Sequence, residues 1–108
     1  MLLFFQNLAA QALRVCLSHS PSHPEALTNL ALLDLRAGHV EAARAGLEAA
    51  CRTAPLSSEP WWNLALLRFK TGELEGAGAA LVRVLEAEPE HAGALKLKKT
   101  IGNMFLGF

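Results

Sequence analysis

Apolar positions recur at helical spacing over residues 25–55, with Leu30, Ala31, Ala43 and Leu47 set between polar and charged residues. Gly38 interrupts this run near its middle and Pro55 closes it. The arrangement returns over residues 59–89, with Leu64, Ala65, Ala77 and Leu81, an interruption at Gly72 and a close at Pro89. The pairs Asn29/Asn63, Leu32/Leu66, Leu33/Leu67 and Glu41/Glu75 share the same offset of 34. Glycine reaches left-handed dihedrals at little cost, so each copy predicts two helices about a tight reversal. The proline past the second helix ends it by lacking an N–H. The predicted helices are 24–37, 40–53, 59–71 and 74–87. Ser57 or Ser58 is the expected cap of the third, with Pro60 tolerated in its first turn. Ala31, Ala43, Ala65 and Ala77 are small where two helices must come close, and Leu30, Leu47, Leu64 and Leu81 fill the space beside them.

A 34-residue period with this order resembles the tetratricopeptide repeat. In the second copy it runs Trp61-x-x-Leu64-Ala65, then Ala77-x-x-x-Leu81, then Pro89. The position where that repeat carries Tyr holds Asp34 and Arg68 instead. The resemblance implies an all-α fold, a tetratricopeptide-repeat helical-hairpin solenoid with a C-terminal capping helix. One hairpin cannot hide its apolar face alone, and the next one covers it.

Subtracting the period from Ala43, Leu47 and Pro55 lands on Ala9, Leu13 and Pro21. Residues 7–18 therefore read as the second helix of an incomplete repeat, with residues 1–5 extending it or fraying. The expected division is an incomplete repeat over 1–23, full repeats over 24–57 and 58–91, and a capping helix and tail over 92–108. A half-repeat would leave one face bare, so the chain is expected to be the C-terminal piece of a longer protein or a shortened gene model. The helix over 74–87 carries Gly76 and Gly78, each costing about 1 kcal/mol against Ala. Packing must hold it, and the glycines allow a close approach to the helix that follows. In a last helix over 92–103, Leu95, Leu97, Ile101 and Met104 are the apolar residues, and Lys96, Lys98 and Lys99 form the solvated face. The apolar tail over 105–108 is expected to pack on the last repeat or to dock a partner.

Composition narrows the function. The 108 residues make at most one small domain, and 52% apolar against 19% charged residues argues against disorder. Ten acidic and ten basic residues leave no net charge, so nothing points to nucleic acid or an anionic membrane. Cys16 and Cys51 fall on second helices of adjacent repeats. Helix axes about 8–10 Å apart disfavour a disulfide between them. The apolar start, Met1 to Phe5, is too short for a membrane span and has no basic residue before it. The expectation is a cytoplasmic protein.

Candidate chemistry is sparse. The histidines are His19, His23, His39 and His91, three of them at or beside predicted helix ends. His23 and His91 hold the same repeat position two periods apart, too distant to share a metal. There is no Cys-x-x-Cys, His-Glu-x-x-His or Gly-x-x-x-x-Gly-Lys. No catalytic residue, metal site or cofactor is expected, and the chain is read as no enzyme.

The remaining function is recognition of protein. In a tetratricopeptide solenoid the first helices line the concave face. Their outward-reaching positions here are Thr28, Asn29, Leu32, Leu35 and Arg36, then Trp62, Asn63, Leu66, Phe69 and Lys70. The amides of Asn29 and Asn63 can bind a partner's backbone without reading its side chains. Trp61 occupies the structural Trp position and is expected in the core, whereas Trp62 is the candidate anchor. The carboxylate-clamp kind of tetratricopeptide domain, which holds chaperone C-termini, carries Lys and Asn near these positions. Thr28, Leu32, Trp62 and Leu66 do not supply them, so an apolar helix or a neighbouring subunit fits better.

Beyond the generic repeat, several segments resemble the C-terminal part of one family. They are Asn7-Leu8-Ala9, Asn29-Leu30-Ala31, Arg36-x-Gly38-His39-Val40-Glu41-x-Ala43-Arg44-Ala45, and Ala54-Pro55 followed by Glu59-Pro60. The family is the tetratricopeptide subunit of the BBSome, numbered eight in the Bardet–Biedl syndrome series. The Ala-rich second repeat with Trp61-Trp62, and the basic run from Lys96 to Lys99, depart from it. The resemblance implies a scaffold subunit in ciliary membrane-protein trafficking. Its partners would be other subunits of that complex, at the cilium or ciliary base, with no membrane insertion. The alternatives are a stand-alone peptide-binding adaptor and the non-catalytic arm of a larger enzyme.

Overall fold

The computed structural model describes residues 2–20 and 23–106. Pro21 and the Gly107-Phe108 end of the apolar tail lie outside the described residues. Six helices follow in order: α1 (Leu2–His19), α2 (Pro24–Arg36), α3 (Val40–Thr53), α4 (Ser58–Lys70), α5 (Leu74–Ala87) and α6 (Ala92–Leu106). The bounds of α3 and α5 match the sequence pattern. The outer two run longer: α1 reaches back to Leu2 and α6 forward to Leu106.

Both predicted reversals are built the same way. Gly38 has φ +86° and Gly72 has φ +81°, the positive-φ positions among the described residues. In the first, Gly38 N–H donates to Leu35 O (3.1 Å) and His39 N–H to Asp34 O (2.8 Å). In the second, Gly72 N–H donates to Phe69 O (3.1 Å) and Glu73 N–H to Arg68 O (2.8 Å). These paired bonds satisfy the last carbonyls of α2 and α4, and they require the left-handed residue that glycine supplies.

Helix starts are less uniform. The His23 imidazole caps α2, its Nδ1 accepting from the Ala26 N–H at 3.1 Å. His91 does the same for α6, accepting from Ala94 N–H at 3.0 Å. A ring nitrogen thus takes the place of the usual Ser, Thr or Asp oxygen. Ser57 is the cap residue of α4 but makes no side-chain capping bond. Ser58 Oγ–H donates instead to Glu88 Oε1 at 2.7 Å.

The chain forms two compact units, Met1–Pro55 and Leu56–Phe108. In the first, α2 and α3 pair as a hairpin and α1 packs on α2. In the second, α4 and α5 pair and α6 packs on α5. Ala31, Ala43, Leu47, Ala50 and Cys51 are buried in the first unit. The core of the second joins Ala65, Ala77, Ala80, Leu81, Val84, Ala94 and Ile101. Alanines at the contacts let the backbones approach, and the leucines beside them supply apolar area worth roughly 1.5–3 kcal/mol per buried side chain.

Several local expectations change. Gly76 meets the Arg68 side chain of the preceding helix, not the helix that follows. A Cβ there would lie 3.1 Å from Arg68 Cδ, and Arg68 Nη1–H donates to Gly76 O at 3.1 Å. Gly78 faces open space. On α6, Leu95 and Met104 are exposed, and Ala94 joins Ile101 in the core instead. Lys96, Lys98 and Lys99 are exposed. No disulfide joins Cys16 and Cys51, the first half-buried and the second buried.

Candidate protein-interaction site

In the first unit, α1 and α2 diverge around a groove of about 450 Å³, lined by Ala9, Ala12, Leu13, Asn29, Leu32, Leu33 and Arg36. Its floor is apolar because α1 contributes two alanines and a leucine and α2 two leucines. Asn29 and Arg36, both exposed, supply its polar groups. They lie seven residues apart on α2, two turns, and so share a face. The site offers an amide, a guanidinium and an apolar cleft. Those are means of binding a polypeptide.

The residues expected to form the recognition surface separate. Asn29, Leu32 and Arg36 meet in the groove. Leu35 is half-buried and stands outside its lining. Thr28 is buried, and its hydroxyl has no hydrogen-bond partner among the described residues.

In the second unit, Trp62 leans against α6. Its ring centroid is 4.8 Å from that of His91, tilted by 52°, and its edge rests on Gly93. The ring is thus occupied inside the unit. Phe69 packs on the buried cluster, as do Trp61 and Trp62. The Arg83 guanidinium sits 5.0 Å from the Trp61 ring centroid, a cation–π contact. Asn63 Nδ2–H donates to Glu59 O at 3.1 Å, so this amide bonds its own helix. Leu66 is half-buried and Lys70 exposed.

Ala12 and Leu33 were not singled out as site residues from sequence, and neither were Ala9 and Leu13. The period contains the signal. Residues 9, 12 and 13 are one repeat before Ala43, Gly46 and Leu47, which face α2 in the first hairpin.

Among the described residues no helix is long and apolar enough to cross a membrane. No group of three or more His, Cys, Asp or Glu among them could hold a metal ion.

No protein-family model matches the chain. It is 41% identical over 99 residues to Tetratricopeptide repeat protein 8 of Mus musculus, an alignment covering 92% of this chain. The chain spans 19% of the length of that relative. Among solved structures it resembles the first TPR of Spaghetti (RPAP3) bound to the HSP90 peptide SRMEEVD. The TM-score is 0.84 at 22% identity, over 94% of this chain and 82% of that one. It also resembles the Sgt2 TPR domain from Aspergillus fumigatus, with TM-score 0.82 at 26% identity, over 97% of this chain and 71% of that one.

Proposed function

We propose, from the premise that this is an all-α tetratricopeptide-repeat chain resembling Tetratricopeptide repeat protein 8, that it is a non-enzymatic scaffold of the ciliary adaptor called the BBSome. Its general role is that of a protein-interaction scaffold with protein partners. The finer reading assigns it to membrane-protein trafficking at the cilium or ciliary base, held by contacts with other subunits. The four-part division into a half-repeat, two repeats and a capping helix belongs to the same reading. The observation that carries it is the 41% identity across 92% of the chain. The test is a tagged chain expressed in ciliated cells and purified under native conditions. Co-purification of other BBSome subunits is the expected result, and their complete absence would overturn the assignment.

The groove between α1 and α2 supports a second reading, a stand-alone peptide-binding adaptor. Asn29→Ala and Arg36→Ala remove both polar groups from the cleft. An adaptor would then lose its bound peptide without loss of fold, since both side chains are exposed. Retained binding by the double variant would exclude the groove as the peptide site.

A further inference from the structure

We propose that His91 is an acid-operated latch on α6. Neutral, its ring caps the helix and holds the first turn against Trp62. Protonated, it turns to the carboxylates of Glu88 and Glu90, and that turn lets go. The latch belongs to the second unit alone and needs no partner.

The closed state is the one observed. His91 Nδ1 accepts from the Ala94 N–H at 3.0 Å. An imidazole nitrogen accepts only through a lone pair, so this ring is neutral and carries its hydrogen on Nε2. The Trp62 ring centroid lies 4.8 Å from that of His91. Both rings close on Gly93, where an added Cβ would stand 2.8 Å from Trp62 Cζ2 and 3.3 Å from His91 Cε1. Ala94 beside it is buried. The cap and the ring contact therefore fix the same turn of α6, and the His91 ring takes part in both.

A proton on Nδ1 occupies the lone pair and ends the cap. The imidazolium then faces the N–H groups of a helix start, whose partial charge is also positive. Glu88, Pro89, Glu90 and His91 line one hollow of about 520 Å³, so the charged ring has room to turn and two carboxylates to turn towards. Glu88 Oε1 accepts from Ser58 Oγ–H at 2.7 Å, and Glu90 is exposed. Of the other charges around the ring, α4 has the exposed Glu59 in its first turn, and α5 ends on Glu86, 3.9 Å from Arg83 Nε. The first turn of α6 has no charged residue. Attraction of the cation to the Trp62 ring opposes release, but the rings are tilted by 52°, and a charge-assisted bond to a carboxylate is the stronger interaction. The cap exists only with the neutral ring, so acid loosens α6 and mild alkali keeps it held.

His23 shows what is particular to His91. It holds the same repeat position and caps α2 through the Ala26 N–H at 3.1 Å. In sequence, Ser20 and Ser22 take the places that Glu88 and Glu90 have before His91. His23 has the cap without the carboxylates at those two positions.

The test is NMR on the whole chain at about pH 7.5 and about pH 5.5, the span over which imidazole takes up its proton. At the higher pH, His91 should carry its hydrogen on Nε2. At the lower pH, protection of the Ala94 N–H against exchange should fall about fivefold, the ratio that a lost cap produces. Proton–proton contacts between the His91 and Trp62 rings should disappear with it, while protection of the Ala50 N–H in the first unit stays the same. His91→Asn, whose amide oxygen caps without titrating, should show the same Ala94 protection at both pH values. Glu88→Gln with Glu90→Gln should make the fall smaller. A hydrogen on Nδ1 at the higher pH, or ring contacts and Ala94 protection that survive at the lower, overturns the proposal on the native chain, whatever the variants do. A fall that persists in His91→Asn, or that the glutamine pair leaves untouched, overturns it as well.

Discussion

Gly93→Ala sets two effects of known size against each other. Replacing a helical glycine by alanine gains up to about 1 kcal/mol, because the glycine loses more chain entropy on folding. At Gly93 the new methyl would lie 2.8 Å from Trp62 Cζ2, 3.0 Å from Cη2 and 3.3 Å from His91 Cε1. Ordinary contact begins at 3.4 Å, so the closest approach is too short by 0.6 Å. The indole has little freedom to retreat, since it packs on the buried cluster with the His91 ring beside it. Overpacking of this kind costs about 1–3 kcal/mol. The clash should outweigh the entropy gain and leave the second unit less stable by about 1–2 kcal/mol. Gly78→Ala, in α5 with nothing within 4 Å of its Cβ, should instead stabilise by about 1 kcal/mol. The assay is equilibrium unfolding in urea followed by tryptophan fluorescence. Trp61 and Trp62 are the two tryptophans of the chain, so the signal reports their unit. Repeating Gly93→Ala on a Trp62→Leu background closes a double-mutant cycle, and there the penalty should vanish. A Gly93→Ala protein as stabilised as Gly78→Ala would refute the account of Trp62 as a strut against α6.

Other substitutions probe single features. Thr28→Val removes a buried hydroxyl with no hydrogen-bond partner among the described residues while keeping its shape, and should raise the thermal midpoint by the equivalent of about 1 kcal/mol; a comparable loss would refute that reading. Gly72→Ala meets no atom within 4 Å, so its expected cost of about 1–2 kcal/mol in urea unfolding is backbone strain at φ +81° alone, and no cost would contradict that origin. His23→Ala should cost about 1 kcal/mol by losing the bond from Ala26 N–H, and His23→Asn should restore most of it; equal losses in thermal circular dichroism would show that the cap is not the cause.

Much of the fold was legible because the local requirements recur. Gly38 and Gly72 mark reversals that only a left-handed residue completes, and Ala43 and Ala77 mark contacts that only a small residue permits. Other features were not legible. The capping by His23 and His91 escaped because imidazole is not among the usual capping side chains. Trp62 stood at an outward position of its own helix. Its contact is Gly93, which comes within reach only when α6 folds back on its unit. The same applies to Gly76, whose missing side chain makes room for Arg68.

The sequence alone determined the helices, their reversals and the small residues at each seat. These depend on neighbours within a few residues, or on a spacing that repeats at 34. Tertiary structure alone decided which equivalent positions end in the core and which stay open. Ala9 and Ala43 have the same side chain at the same repeat position, yet Ala43 is buried and Ala9 is exposed. Burial depends on whether another helix arrives, and no side chain carries that information by itself.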